Sequence, residues 1–263
     1  MNKFAHYPAL DVQSVSLHMG LADLILETGE VDTVQLLLSG DDDTVTGVHH
    51  ELTDGTLHVD LPVRERVPNL IGMQWLQIVV RFPVAWRGSL TVHTTSGNIS
   101  ITGITGTDFR IESVSGNIKL ANTHGMQVSL QSLSGPLLAE DLHADDFRLL
   151  GISGVIRLTG LEARHVHFST VSANAECVFS TPFERFDGNS VSGSLRILTP
   201  MKSANAVLKT ISGRILTNHF SIRESGPDLR FTTVTGNLEI EGSLPDTHAS
   251  TEQDSQDKTN LEE

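Results

Sequence analysis

The chain has a single cysteine, Cys177, in 263 residues, so no internal disulfide framework holds it together, and a lone thiol is compatible with a reducing compartment. Aromatic residues are only 5% of the total, and Tyr7, Trp75 and Trp86 all precede residue 90, which leaves no stacking platform for single-stranded nucleic acid along the remainder. Basic residues are scarce: 18 Lys and Arg against 32 Asp and Glu give a formal net charge of −14. That balance argues against an electrostatic grip on nucleic acid or anionic lipid. No stretch approaches the ~20 apolar residues needed to span a bilayer as a helix, since residues 70–80 are interrupted by Gln74 and Gln77. Residues 1–8 also lack the apolar run of a secretory signal. The expectation is a cytoplasmic protein without membrane insertion, the alternative being a cell surface reached by a signal-independent route.

What the chain does have is one short motif, repeated. Val114-Ser115-Gly116-Asn117-Ile118 is matched by Thr95-Ser96-Gly97-Asn98-Ile99, Leu133-Ser134-Gly135-Pro136-Leu137 and Ile152-Ser153-Gly154-Val155-Ile156. Val171-Ser172-Ala173-Asn174-Ala175, Val191-Ser192-Gly193-Ser194-Leu195, Ile211-Ser212-Gly213-Arg214-Ile215 and Val234-Thr235-Gly236-Asn237-Leu238 follow. Measured at the glycine, or at Ala173, the steps are 19, 19, 19, 19, 20, 20 and 23 residues. Near-constant spacing of this kind is the signature of a solenoid.

Strand alternation then assigns faces. Counting from two residues before the glycine, the fifth position (Ile99, Ile118, Leu137, Ile156, Ala175, Leu195, Ile215, Leu238) and the seventh (Ile101, Leu120, Ala139, Leu158, Cys177, Ile197, Thr217, Ile240) point inward. A second inward pair is Phe109 with Ile111, Val128 with Leu130, Phe147 with Leu149 and Val166 with Phe168; Ile104, Thr123, Leu142 and Leu161 occupy a corner. Each rung therefore reads as two short strands and two turns around a continuous core. The glycine supplies positive φ at a tight corner, and Ala173 in that geometry would cost about 1 kcal/mol. Its rung is also small at Ala175 and Cys177, with Phe179, Phe183 and Phe186 nearby to fill the volume.

Before the repeats, Val15-Ser16-Leu17-His18-Met19, Val34-Gln35-Leu36 and residues 57–61 alternate with period two, and residues 76–82 form the strongest strand. Asp54-Gly55 between Leu52 and Leu57 is a hairpin signal; Asp41-Asp42-Asp43, Pro62, Pro68 and Pro83 mark turns. Residues 1–90 are expected to form irregular opening rungs and a cap, residues 91–243 the regular solenoid, and residues 244–263 an acidic, disordered tail that limits association through an uncapped end. The fold class is all-β: a single β-solenoid, parallel β-helix-like, with 19–20-residue rungs.

Twelve histidines invite a metal reading. His165 and His167 share a strand face with Asp146 and Arg148 beside them, and two His with a carboxylate are chemically able to hold a metal ion, but the columns Asp108-Gln127-Asp146 and Arg110-Ser129-Arg148 look like solvated strand faces. His49, His50 and His58 meet only if the hairpin brings them together. Asp41-Asp42-Asp43 and Asp141, Asp145, Asp146 lack calcium-loop spacing. The serines preceding the glycines read as hydroxyl ladders for corner backbone groups, since no histidine recurs with them. No phosphate-cradling loop, Cys-x-x-Cys pair or Gly-x-Ser-x-Gly elbow occurs. No residue is therefore nominated as catalytic, cofactor-binding or metal-ligating, and no cofactor is expected.

The repeated Val/Ile-Ser-Gly-Asn/Ser-Ile/Leu motif, preceded by Asp54-Gly55-Thr56-Leu57-His58-Val59, resembles the bacterial putative-adhesin (toastrack) family over most of residues 10–243. The resemblance implies a β-solenoid without defined catalytic residues, in bacterial proteins several of which are linked to cell-envelope stress. The function expected is a non-catalytic scaffold and protein-interaction module, linked to envelope stress or adhesion. Protein partners, a membrane-associated regulator among them, and homo-oligomers through the solenoid ends are the expected assemblies; the alternative is a metal-assisted or polysaccharide-directed β-helix enzyme.

Overall fold

The computed structural model describes residues 1–61 and 75–242. The expectations placed on Pro62, Pro68 and residues 244–263 lie outside the described residues.

The repeats wind into a β-solenoid. Strand β8 (Ser89–Ser96) turns at Gly97 into β9 (Ile99–Thr102), and the next rung begins with β10 (Asp108–Ser115). From there the chain bends round corners without leaving extended conformation, as β11 (Ile118–Ser134) and the 43-residue β12 (Leu137–Phe179). Successive rungs pair in parallel and in register, Phe109 with Val128 and Val128 with Phe147 on one side, Ile99 with Ile118 and Ile118 with Leu137 on the other. Like side chains therefore stack, and the fifth, seventh and second-pair columns of the regular rungs are buried.

A rung has three sides rather than two. Thr123, His124 and Gly125 pair with Leu142, His143 and Ala144, so the expected corner is itself a short strand. Two residues after the corner column of Ile104, Thr123, Leu142 and Leu161, the positions Gly106, Gly125, Ala144 and Ala163 are small because the phenylalanine rings need the space: a Cβ on Gly106 would stand 2.7 Å from the Phe109 ring. The second corner also selects residues that tolerate left-handed backbone, with positive φ at Gly103, Asn122, Asp141 and Gly160.

Both ends depart from sequential stacking. At the amino end, β2 (Ser14–Leu21) and β3 (Asp23–Gly29) form a rung that lies between β8/β9 and the rung of β6 (Thr56–Leu61) and β7 (Leu76–Pro83). Antiparallel strands cover that outer rung: β5 (His49–Thr53) on β6, and β4 (Thr33–Gly40) followed by β1 (Asn2–Pro8) on β7. Leu52 opposite Leu57, with positive φ at Asp54 and Gly55, makes the expected hairpin. The acidic run instead opens a short helix, α1 (Asp42–Gly47).

At the carboxyl end, β13 (Arg185–Ser190) and β14 (Ser194–Thr199) pair not with the next rung in sequence but with the last, β18 (Asp228–Thr233) and β19 (Asn237–Gly242). The intervening rung, β15 (Ser203–Thr210) and β16 (Ile215–Asn218) with the short β17 (Ser221–Ile222), stacks outside it. Hydrophobicity decides the order. Leu229, Phe231, Leu238 and Ile240 are all at most 1% exposed in the inner slot, whereas the outer rung offers Ala206, Leu208 and Ile215 half-buried and Thr217 exposed. Ile215 and Thr217 keep the inward register of Leu238 and Ile240, but among the described residues no further rung covers them, which leaves Ile215 half-buried and Thr217 exposed.

Candidate interaction surface

The conserved geometry of the first corner begins with glycine. An added Cβ would lie 2.1 Å from the preceding Gly97 carbonyl oxygen at Gly116, and 2.3 Å from that of Gly116 at Gly135. The backbone approaches so closely that a side chain has no room, in addition to the positive φ at Gly97, Gly116, Gly135, Gly154 and Gly193. Ala173 is not in positive φ, so the expected strain is absent; the Ala22 backbone of the β2/β3 rung holds the equivalent place, facing Gly97.

Hydroxyls fasten this corner in two columns. On the outside, Ser153, Ser172, Ser192 and Thr235 donate to the carbonyls of Leu133, Ile152, Val171 and Val191 one rung away, which is the expected ladder. A second column is buried: Thr94 donates to the Ser96 carbonyl at 3.1 Å, Ser132 to that of Gly135 at 3.2 Å, and Thr170 to Ser190 Oγ at 3.0 Å. Asparagines add a third tie, Asn98 Oδ1 accepting from the Asn117 amide and Asn174 Oδ1 from that of Ser194.

With hydroxyls turned inward, the aliphatic residue that opens each motif is turned out. Val114, Leu133, Ile152, Val171, Val191, Val234 and Ile211 stand in that spatial order along the corner, each at least 36% exposed. At a rung spacing of ~4.8 Å the seven side chains form a ridge about 29 Å long. Leu138, Leu150 and Val155, also exposed, widen it at its middle. The parity that starts at Phe109 and Ile111 reaches Ser113 as an inward residue and Val114 as an outward one, so the signal was present in the sequence; counting from the glycine obscured it.

The flanking faces are polar and internally paired. On the first face His165 Nδ1 lies 3.1 Å from Asp146 and its Nε2 3.5 Å from Glu184, while Arg164 bonds Glu184 at 2.9 Å. That hydrogen bond from Arg164 holds the Glu184 carboxyl below the usual range. On the second face Arg196 reaches Glu176, Glu239 and Glu241 at 3.3, 3.8 and 2.8 Å, beside a shallow depression of about 420 Å³ edged by Arg157, Asn174, Arg214 and Asn237.

The remaining candidates are dispersed. His167 is exposed and makes no ion pair among the described residues. His49 and His58 lie on one side of the β5–β6 hairpin and His50 on the other, where Tyr7 Oη meets His50 Nδ1 at 2.6 Å and burial, then Lys3, depresses the imidazole pKa. Asp41 accepts the Trp75 amide, Asp141 forms the second corner and Asp145 faces Arg164 at 3.9 Å. Among the described residues no three His, Cys, Asp or Glu side chains converge on a metal-sized site. Cys177 is fully buried and burial pushes its thiol up to about 12. No helix of the described residues is long and apolar enough to cross a membrane.

Comparison with known proteins bears on the whole assembly. The family described as Toastrack DUF4097 matches residues 12–226. Among solved structures, a putative adhesin from Bacteroides fragilis superposes with a TM-score of 0.58 at 16% identity, covering 91% of this chain and 97% of that one. A putative lipid binding protein from Parabacteroides distasonis superposes with a TM-score of 0.50 at 15% identity, covering 91% and 96%. At these identities the likeness is one of fold. Curated proteins provide no match.

Proposed function

The chain belongs to the Toastrack DUF4097 family, and from that premise we propose that it is a non-catalytic interaction module whose aliphatic ridge receives a protein partner. The observation that carries this reading is the ridge itself: aliphatic side chains in seven stacked rungs, outward on a rigid corner, where burial of a hydroxyl column turns them to solvent. Contiguous exposed apolar surface of this kind marks an interaction site rather than chance exposure. The rung spacing of ~4.8 Å is close to the ~5.4 Å pitch of an α-helix, so the apolar stripe of an amphipathic helix is the partner element that fits along it.

The charged groups support a binding role over chemistry. His165, Asp146, Arg164 and Glu184 satisfy one another on an open face, and the carboxylates near Arg196 are likewise consumed in ion pairs. We favour residence in the cytoplasm, which accords with the free thiol of Cys177.

The test is affinity capture of the tagged chain from native cells, cytosol and membranes separately, beside the ridge variant Leu133→Asp/Ile152→Asp/Val171→Asp. A partner recovered near stoichiometrically by the parent and reduced at least tenfold by a variant with unchanged circular dichroism supports the proposal. Equal recovery by both proteins overturns it. Because one similar structure is described as a lipid binding protein, flotation with neutral phosphatidylcholine vesicles accompanies the capture, and ridge-dependent flotation without a protein partner would replace the protein reading.

A further inference from the structure

The two ends of the solenoid are finished differently. Outside its last parallel rung the amino end carries antiparallel β1, β4 and β5, the short antiparallel edges being those of β1 and β5. At the carboxyl end, β15 and β16 each pair on their inner side with β18 and β19, and among the described residues their outer edges carry no strand apart from Ser203 and Ala204 against β17. An open parallel edge is a row of unpaired N–H and C=O groups, and Ala206, Leu208 and Ile215 are left half-buried beside it.

This rung is also the basic part of an acidic protein. Between residues 202 and 226, Lys202, Lys209, Arg214 and Arg223 are opposed by Glu224 alone, in a chain whose net charge is −14. All four cations are exposed, and none forms an ion pair among the described residues. A second copy meeting this end with its own would set four cations against four, which disfavours end-to-end pairing of like ends.

A complementary occupant lies in the same chain. Residues 243–263 carry Asp246, Glu252, Asp254, Asp257, Glu262 and Glu263 against Lys258. They begin directly after Gly242, whose backbone sits so close to the terminal rung that an added Cβ would be 2.5 Å from the His219 carbonyl oxygen. The open edge is one strand spacing of ~4.8 Å from β19, and 21 residues in extended conformation reach about 70 Å, ample to cross the end. Edge pairing uses backbone groups, so a polar segment serves as well as an apolar one. Tethering supplies it at millimolar effective concentration, well above any second molecule at ordinary concentration.

We propose that residues 243–263 dock in cis on the open end of the solenoid, along the outer edge of β15 and β16, with their carboxylates against Lys202, Lys209, Arg214 and Arg223. The segment closes in charge and in backbone pairing the end that the described strands leave open.

Zero-length carbodiimide coupling of the full chain, followed by peptide mass spectrometry of the monomer band, tests this. The expected result is amide links from Lys202 or Lys209 to Asp246, Glu252, Asp254 or Asp257, reduced at least fivefold in R214E/R223E, which keeps both reacting lysines, and by raising the salt to 0.5 M. Hydrogen exchange provides a second measurement: in Asp246→Asn/Glu252→Gln/Asp254→Asn/Asp257→Asn, amides of β15 and β16 are expected to exchange at least tenfold faster than in the parent, with those of β10 unchanged. Links found only between chains, links confined to other surfaces, or identical exchange of β15 and β16 in both proteins would each overturn the proposal.

Discussion

Gly236 lies between Gly193 and Gly213. A Cβ on Gly236 would stand 2.2 Å from the Gly193 carbonyl oxygen, and a Cβ on Gly213 would stand 2.1 Å from the carbonyl oxygen of Gly236. The last repeat in the sequence is therefore the penultimate one in space.

Engineered cysteines report this order. Ser194 and Asn237 are Cα partners, and both are exposed. S194C/N237C should oxidise to a cross-link visible in a non-reducing peptide map. S194C/R214C should not, because two rungs separate its Cα atoms by ~9.6 Å, beyond the ~7 Å a disulfide can bridge. The reverse pattern would establish sequential stacking.

Alanine at Gly135 combines a φ of +140 with a Cβ 2.3 Å from the Gly116 carbonyl. Gly135→Ala is expected to lose roughly 1–3 kcal/mol from the backbone conformation alone. Ala173→Gly, where the φ is not positive, should lose about 1 kcal/mol or less. Urea unfolding midpoints of the two variants give the comparison, and equal losses would contradict the account of the corner.

Cys177 is 1% exposed, and burial raises its thiol to about 12. Native protein at pH 8 should therefore leave the thiol unmodified by an aromatic disulfide reagent over minutes, while protein in 6 M guanidinium reacts stoichiometrically. Rapid modification of the native chain would show that the rung opens.

Glu112 accepts from Arg110 Nε at 2.6 Å and lies 3.4 Å from His93 Nδ1. Burial works to raise its pKa, and the bonds from Arg110 and His93 outweigh that, holding the carboxyl below its ordinary range. The unfolded chain then binds the proton first as pH falls, so the stabilisation is complete above the unfolded value of ~4.3 and is lost as pH drops through the lower folded value. Glu112→Gln should be less stable than the parent at pH 7, with the gap narrowing toward pH 3. A gap independent of pH would remove Glu112 from the acid response.

Much of the architecture could be read from the residues, because a stacked fold writes its register into its spacing. Phe109, Val128, Phe147 and Val166 lie 19 residues apart and stack as that spacing requires. The Asp54-Gly55 turn was equally plain, since only a few residue types tolerate two successive positive φ values. The ends were harder, because every repeat carries the same motif and slot order follows from a competition among whole rungs. The clue was compositional: Thr217 is the one hydroxyl in a column otherwise made of Ile, Leu, Ala139 and Cys177, against Phe231 and Ile240 in the repeat that displaced it. The ridge went unread for a different reason. Facing parity changes at the glycine, and Val114 is outward only when counted from the strand before it.

The interleaved ends also restrict how such a chain can change length. A copy appended after residue 242 would follow β19, which already has neighbours on both sides, and a copy added before β2 meets the same obstacle. The stretch between Gly97 and Ala173, with four equal steps and neighbours in simple succession, has no such obstacle. Duplication or loss of 19 residues there moves the two finished ends apart or together by one strand spacing, which makes the middle of the gene, rather than its termini, the place where this molecule can be lengthened.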